Sequence, residues 1–203
     1  MKPIEDHAEG SISTFADSVK ISGSPRDKTV MFYEEIDSES ALHINKTLLS
    51  VDSELYSEYN SLLVSEGTHL KRPTIKLRIH SKGGDVFSTL AIIDVIRQLQ
   101  CDIHTYVDGS AASGAALIAL YGSKRYIGRG SFMLLHQLSG SQSGKYEDMQ
   151  DELENSKKIM SLIKSIVSDK CLMSSEKIDE ILKHEWWLSS EECLELGLVD
   201  VVI

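Results

Sequence analysis

Twice in this chain a strand runs through a glycine turn into a helix, and no other feature narrows the fold as much. Residues 74–80 alternate apolar and polar side chains and lead through Gly83 and Gly84 into an apolar-periodic stretch at 86–99. Residues 102–107 lead in the same way through Gly109 into the apolar run 111–121. Each is half of a βαβ crossover, a right-handed unit that builds parallel strands. The expected fold class is therefore α/β, a largely parallel, layered sheet with helices packed on it. Sites in such sheets lie at the carboxyl ends of the strands, where Gly84 and Ser113 both fall.

The remaining segments fit around these two units. Residues 29–33 read as a further strand. Between 38 and 63 apolar residues recur in steps of three and four, at Ile44, Leu48, Val51, Leu55, Tyr59 and Leu62. That spacing predicts an amphipathic helix or a broken pair of helices. A loop is expected at 66–73. Residues 1–28 are polar, lack steady periodicity and contain the break Ser22-Gly23-Ser24-Pro25, so they are expected to be a flexible N-terminal segment before one domain at 29–203. A Gly/Ser loop at 139–144 precedes a helix bearing Met149, Leu153, Met160, Ile163 and Val167 at roughly heptad spacing, with charged residues between 145 and 158.

Composition excludes several functions. A chain of 203 residues can bury a substantial core without disulfides, and its formal net charge of −10 argues against a nucleic-acid partner. No stretch approaches the ~20 apolar residues of a membrane span. The first residues lack the basic start and apolar run of a secretory signal, so a cytoplasmic location is expected. Cys101, Cys171 and Cys193 are widely spaced and form no Cys-x-x-Cys pair, and the histidines form no ligand cluster. No metal or other cofactor is expected.

The run Gly109-Ser110-Ala111-Ala112-Ser113-Gly114 joins a strand to an apolar helix. A serine in the first turn of a helix lies among unpaired backbone N–H groups. There its hydroxyl can attack a carbonyl while those donors stabilise the oxyanion. The same small residues also simply allow a helix to pack closely on a sheet. A serine nucleophile needs a base within hydrogen-bond reach, and the base needs an orienting group. His136, closing the apolar run that starts at Ser131, is the candidate base.

Three motifs in order resemble those of the Clp protease proteolytic subunit (ClpP) family, which are self-compartmentalising serine peptidases. The family's Asn-Ser-Pro-Gly-Gly, Ala-Ala-Ser-Met-Gly and Met-Ile-His-Gln-Pro become His80-Ser81-Lys82-Gly83-Gly84, Ala111-Ala112-Ser113-Gly114-Ala115 and Leu134-Leu135-His136-Gln137-Leu138. The stretch from Trp187-Leu188-Ser189 to Leu198-Val199-Asp200 matches the family's tail, and the likeness is weak before Ile75. The resemblance implies the ClpP/crotonase-like layered fold of repeated β-β-α units with a projecting handle helix, here the one after residue 145. In the family the region matching 1–28 is a removable propeptide or an axial loop.

Carried onto this chain, the resemblance makes Ser113 the nucleophile, His136 the base, and the N–H groups of Gly84 and Gly114 the oxyanion hole. Two segments would clasp an extended peptide: Gly84, Asp85, Val86 and Phe87 on one side, Gln137, Leu138, Ser139 and Gly140 on the other. The third member departs from the pattern. Aligning on Trp187-Leu188-Ser189 puts Glu185 where the family carries aspartate, and the extra methylene demands a shifted backbone. Asp179 is the reserve. Ser110 as nucleophile and Lys124 as partner of a Ser-Lys dyad are lesser candidates.

The expected function is that of an ATP-independent serine endopeptidase subunit, a homo-oligomer of two stacked heptameric rings. It would cleave peptides and unfolded proteins and be fed by an AAA+ unfoldase. The family presents aromatic residues outward from the strand before the glycine turn, whereas period two puts Lys76, Arg78 and His80 there, so unfoldase docking is expected to be altered. The alternatives are a catalytically silent structural subunit of a Clp-like complex and a crotonase-type acyl-CoA enzyme.

Overall fold

The computed structural model describes residues 21–24, 27–66, 70–141 and 143–203. A hairpin comes first, β1 (Ile21–Ser24) antiparallel to β2 (Asp27–Phe32). Then follow α1 (Ser38–Glu66), β3 (Thr74–Ser81), α2 (Val86–Gln98), β4 (Asp102–Ala112), α3 (Gly114–Ala119), β5 (Lys124–Ile127) and β6 (Phe132–Leu134). The chain closes with α4 (Tyr146–Lys170), α5 (Ser175–Lys183), β7 (Trp187–Ser189), α6 (Ser190–Glu195) and β8 (Val201–Val202). The main sheet has the order β1-β2-β3-β4-β5-β8 and is parallel from β2 onward. This is the α/β class that the repeated units predict. The hairpin begins inside the stretch expected to be flexible; residues 1–20 and 67–69, which carry part of the expected N-terminal segment and of the expected loop, lie outside the described residues.

Period two builds β3. Ile75, Leu77 and Ile79 are each 0% exposed and join Val30, Phe32 and Val107 in the core, while Lys76, Arg78 and His80 take the opposite face. α1 is one continuous helix, and its Ile44, Leu48, Val51 and Leu55 are buried. Each such side chain contributes about 1.5–3 kcal/mol on burial. Asp52 interrupts that apolar face for a reason: its carboxylate accepts the N–H groups of Gln100 and Cys101 at 3.0 and 2.8 Å, fixing the turn from α2 into β4.

β4 runs farther than its sequence pattern predicts. It continues through Gly109 to Ala112, so the helix expected from residue 111 starts only at Gly114. Ser110, Ala111 and Ala112 find strand partners in Phe132, Met133 and Leu134 of β6, and ladder bonds to a neighbour replace the helical ones. β6 pairs in turn with β7, antiparallel. A small side sheet, β4–β6–β7, thus grows from the carboxyl end of β4.

α4 divides into two halves. Residues 146–155 are exposed throughout, with Met149 and Leu153 at 41% and 53%, whereas Ile163, Ile166 and Val167 are buried against the body. The heptad-like face therefore does not act as one stripe: Met160 and Ile163 pack on their own chain, and Met149 and Leu153 project from it. Among the described residues no helix is long and apolar enough to cross a membrane.

Candidate active site

Ser113 is the residue between β4 and α3, not a member of the helix. Its φ of 53° and ψ of −124° make it the one non-glycine with positive φ among the described residues. Such a conformation costs on the order of 1–3 kcal/mol and persists only where the surroundings enforce it. Here its N–H donates to the Leu134 carbonyl at 2.8 Å, and its own carbonyl accepts from Ala116 and Leu117 at 3.0 and 3.2 Å. The result is a strand-to-helix elbow of the kind that exposes a nucleophile.

The glycine turn is pressed against this elbow. Gly83 has φ 89°, and a Cβ there would lie 2.7 Å from Ser113 Cβ. Gly84, at φ 153°, is bridged to Ile36: the Ile36 N–H donates to the Gly83 carbonyl at 2.9 Å and the Asp85 N–H to the Ile36 carbonyl at 2.8 Å. A parallel bridge uses the groups on either side of Gly84, so the N–H of Gly84 itself points away from Ile36. Gly114 has no room for a side chain, since a Cβ would come 2.2 Å from Thr89 Oγ1. Ile36 was not foreseen as part of this support. It is a lone apolar residue in an acidic stretch and carries no periodic signal.

Gly84, Asp85, Val86, Ser113, Gly114, His136, Gln137, Leu138 and Ser139 line one cleft of about 200 Å³. Thr89, Leu117, Leu135 and Ile163 complete its lining. Leu117, one turn after Ser113, and Leu135, beside His136, were legible by position; Thr89 and Ile163 come from other helices and were not. Two expected residues lie outside the lining, Gly140 and Phe87, the latter 66% exposed. The Asp85 carboxylate caps α2, accepting the Ser88 N–H at 2.7 Å.

The three candidate catalytic side chains sit at the ends of adjacent strands in the side sheet. Ser113 follows β4, His136 lies just beyond β6, and Glu185 just ahead of β7. His136 Nδ1 is 3.9 Å from Glu185 Oε1, an ion-pair distance longer than a hydrogen bond; the Glu185 side chain is 81% exposed and that of His136 19%. Asp179 is held elsewhere: Lys164 Nζ lies 2.7 Å away, and that hydrogen-bonded ammonium keeps the Asp179 carboxyl below its usual range. Ser110 and Lys124 do not line the cleft; the Ser110 N–H donates to His80 Nδ1 at 3.2 Å. Burial pushes the Cys101 and Cys193 thiols up to about 12, which leaves them inert as nucleophiles near neutral pH. Among the described residues no three His, Cys, Asp or Glu side chains are grouped to hold a metal ion.

On the face of β3 turned away from α1–α3 the cations are paired. Lys76 Nζ is 3.3 Å from Asp27, and Arg78 grips Asp108 with two bonds of 2.7 and 2.6 Å. The Tyr33 hydroxyl donates to the same carboxylate at 2.6 Å. Tyr106 stacks on Tyr126 with ring centres 4.4 Å apart, and the Arg78 guanidinium lies 5.4 Å from the Tyr106 ring.

Comparison with known proteins bears on the family and the fold. A family model described as Clp protease matches residues 19–203. The chain is 34% identical over 132 residues to the ATP-dependent Clp protease proteolytic subunit 1 of Rhodopirellula baltica, covering 64% of this chain and 58% of that protein. It is 32% identical over 180 residues to the proteolytic subunit 2 of Chlamydia abortus, covering 88% of this chain and 80% of that one. The match thus spans less than two thirds of the Rhodopirellula protein. A mutant ClpP1 from Listeria monocytogenes superimposes with a TM-score of 0.72 at 24% identity, over 88% of this chain and 91% of that one, which establishes a shared fold.

Proposed function

The chain belongs to the Clp protease family, and on that footing we propose that it is a serine endopeptidase subunit acting through Ser113, His136 and Glu185. One observation carries the reading. The strained elbow at Ser113 shares a single cleft with His136 and with the two glycines, Gly84 and Gly114, whose backbone can receive an oxyanion.

Ser113 Oγ adds to the carbonyl carbon of the scissile amide while its proton passes to His136 Nε2, the ring nitrogen opposite the one facing Glu185. The Gly84 and Gly114 N–H groups donate to the oxygen that becomes negative. Collapse of the tetrahedral species expels the amine, which takes the proton from His136. Water then repeats the sequence on the acyl-serine and restores the free hydroxyl. Glu185 steadies the imidazolium that forms twice in the cycle.

The chamber is an oligomer of stacked rings, two of seven subunits each. What supports this is the first half of α4, which nothing among the described residues covers: it carries Met149 and Leu153 in the open, apolar surface that a neighbouring subunit would bury. An AAA+ unfoldase delivers folded substrates. Its docking differs from the apolar form, because Lys76 and Arg78 arrive already neutralised by Asp27 and Asp108. Covering those charged groups with an apolar loop strips them of water, which is unfavourable.

The deciding experiment is labelling with a fluorophosphonate probe and cleavage of a short fluorogenic peptide amide. Wild type should label once and cleave, and Ser113→Ala should do neither while keeping its native mass. A wild-type assembly inert in both assays would make the chain a structural subunit.

A further inference from the structure

The segment that follows His136 is held by two helices at once. The Gln137 N–H donates to the Leu182 carbonyl near the end of α5 at 2.7 Å, and the next donor, the Leu138 N–H, goes to Met160 Sδ on α4 at 3.0 Å. A thioether is a weak acceptor, yet the Leu138 amide is partly buried beside the cleft, where an unmatched N–H is unfavourable. Ile163, about one turn farther along the same face of α4, lines the cleft itself. The peptide unit that carries the Leu138 N–H also carries the Gln137 carbonyl, trans to it across a rigid plane. Fixing one direction fixes the other.

We propose that Met160 is a positioning residue of the cleft: its thioether sets the plane of the Gln137–Leu138 peptide unit and so the direction in which this segment offers its backbone to an extended peptide. This deepens the peptidase reading and rests on it. Met160 touches neither substrate nor reacting atoms, and its contribution falls on binding and not on the chemical step.

Met160→Leu keeps bulk and apolar character and removes only the acceptor. Hydrogen exchange of the Leu138 amide should quicken about tenfold, and KM for a short fluorogenic peptide amide should rise roughly three- to tenfold with kcat within about twofold. Unchanged exchange and KM in Met160→Leu overturn the proposal, as does a loss of kcat with KM unchanged. A wild-type protein that neither labels with the fluorophosphonate nor cleaves overturns the peptidase reading and this proposal together. A labelled, active wild type with an indistinguishable Met160→Leu overturns the positioning role alone.

Discussion

Replacing Ser113 by glycine should make the protein inactive and more stable. Ser113 sits at φ 53°, ψ −124°, where a residue with a Cβ is strained by about 1–3 kcal/mol and glycine is not. Against that relief, glycine gives the unfolded chain extra freedom worth about 0.4–1 kcal/mol. The net expectation is a gain of about 1 kcal/mol. Unfolding entropy of about 2.1 cal/mol/K per residue over 203 residues comes to about 0.4 kcal/mol/K, so Tm should rise by about 2–3 °C. Ser113→Ala keeps the Cβ and the strain, and its Tm should stay within about 1 °C of wild type. Differential scanning calorimetry of the three proteins, at one concentration and in one assembly state, tests the order, since subunit association itself moves Tm. A glycine variant that melts at or below the alanine variant refutes the claim that the elbow is strained.

Gly84→Ala would put a Cβ 2.0 Å from the Ile36 carbonyl oxygen, a backbone atom that cannot swing aside. The turn must rotate, and kcat should fall roughly 10²–10³-fold with the circular dichroism spectrum unchanged; an activity within tenfold of wild type would count against Gly84 as a donor. Glu185→Gln should lower kcat by about tenfold, less than for a buried triad acid, because solvent screens a carboxylate so exposed. An unchanged rate would remove Glu185 from the mechanism. Arg125 donates to the Lys170 and Gly197 carbonyls and to Asp200, so Arg125→Met strands three acceptors and should cost about 2–4 kcal/mol, a Tm drop of about 5–9 °C. Burial raises the Asp200 pKa, but the Arg125 bonds outweigh it and hold the carboxyl below its ordinary 3.8. The Asp200 share of the stabilisation is therefore complete above the ordinary value and is lost as pH falls through the depressed one, so the Tm gap between wild type and Arg125→Met should narrow below about pH 4, leaving the share of the two carbonyl bonds. A gap that stays constant into that range would show that the ion pair is not its source.

Local pattern made β3, α1 and the glycine turn legible, because each depends on side chains a few positions apart. Ser113 and His136 were legible as parts of short motifs whose residues touch their own neighbours. What escaped depends on partners far along the chain. β4 outran its prediction because β6 supplies a strand partner to Ser110, Ala111 and Ala112. Ile36 gave no warning that it would pin Gly84, since the bridge between them is made of backbone groups that any residue possesses. Lys76 and Arg78 read as unpaired cations until the sheet register brought Asp27 and Asp108 to them. Met160 read as one apolar position in a heptad, and only the fold shows its sulfur at work on Leu138.

The side sheet has a consequence for the chain while it is being made. Synthesis proceeds from the amino end, so Ser113, His136 and strand β6 exist long before β7, the antiparallel neighbour that pairs Trp187 with Leu134. Through that interval β6 is an open edge and Glu185 has not been added. A partly made chain thus carries the Ser113 elbow and His136 without the strand that frames them, at the very time when unfolded polypeptide of its own kind lies closest. The strand order leaves the side sheet unfinished until nearly the whole subunit is present, so the cleft takes its full frame only at the end of synthesis.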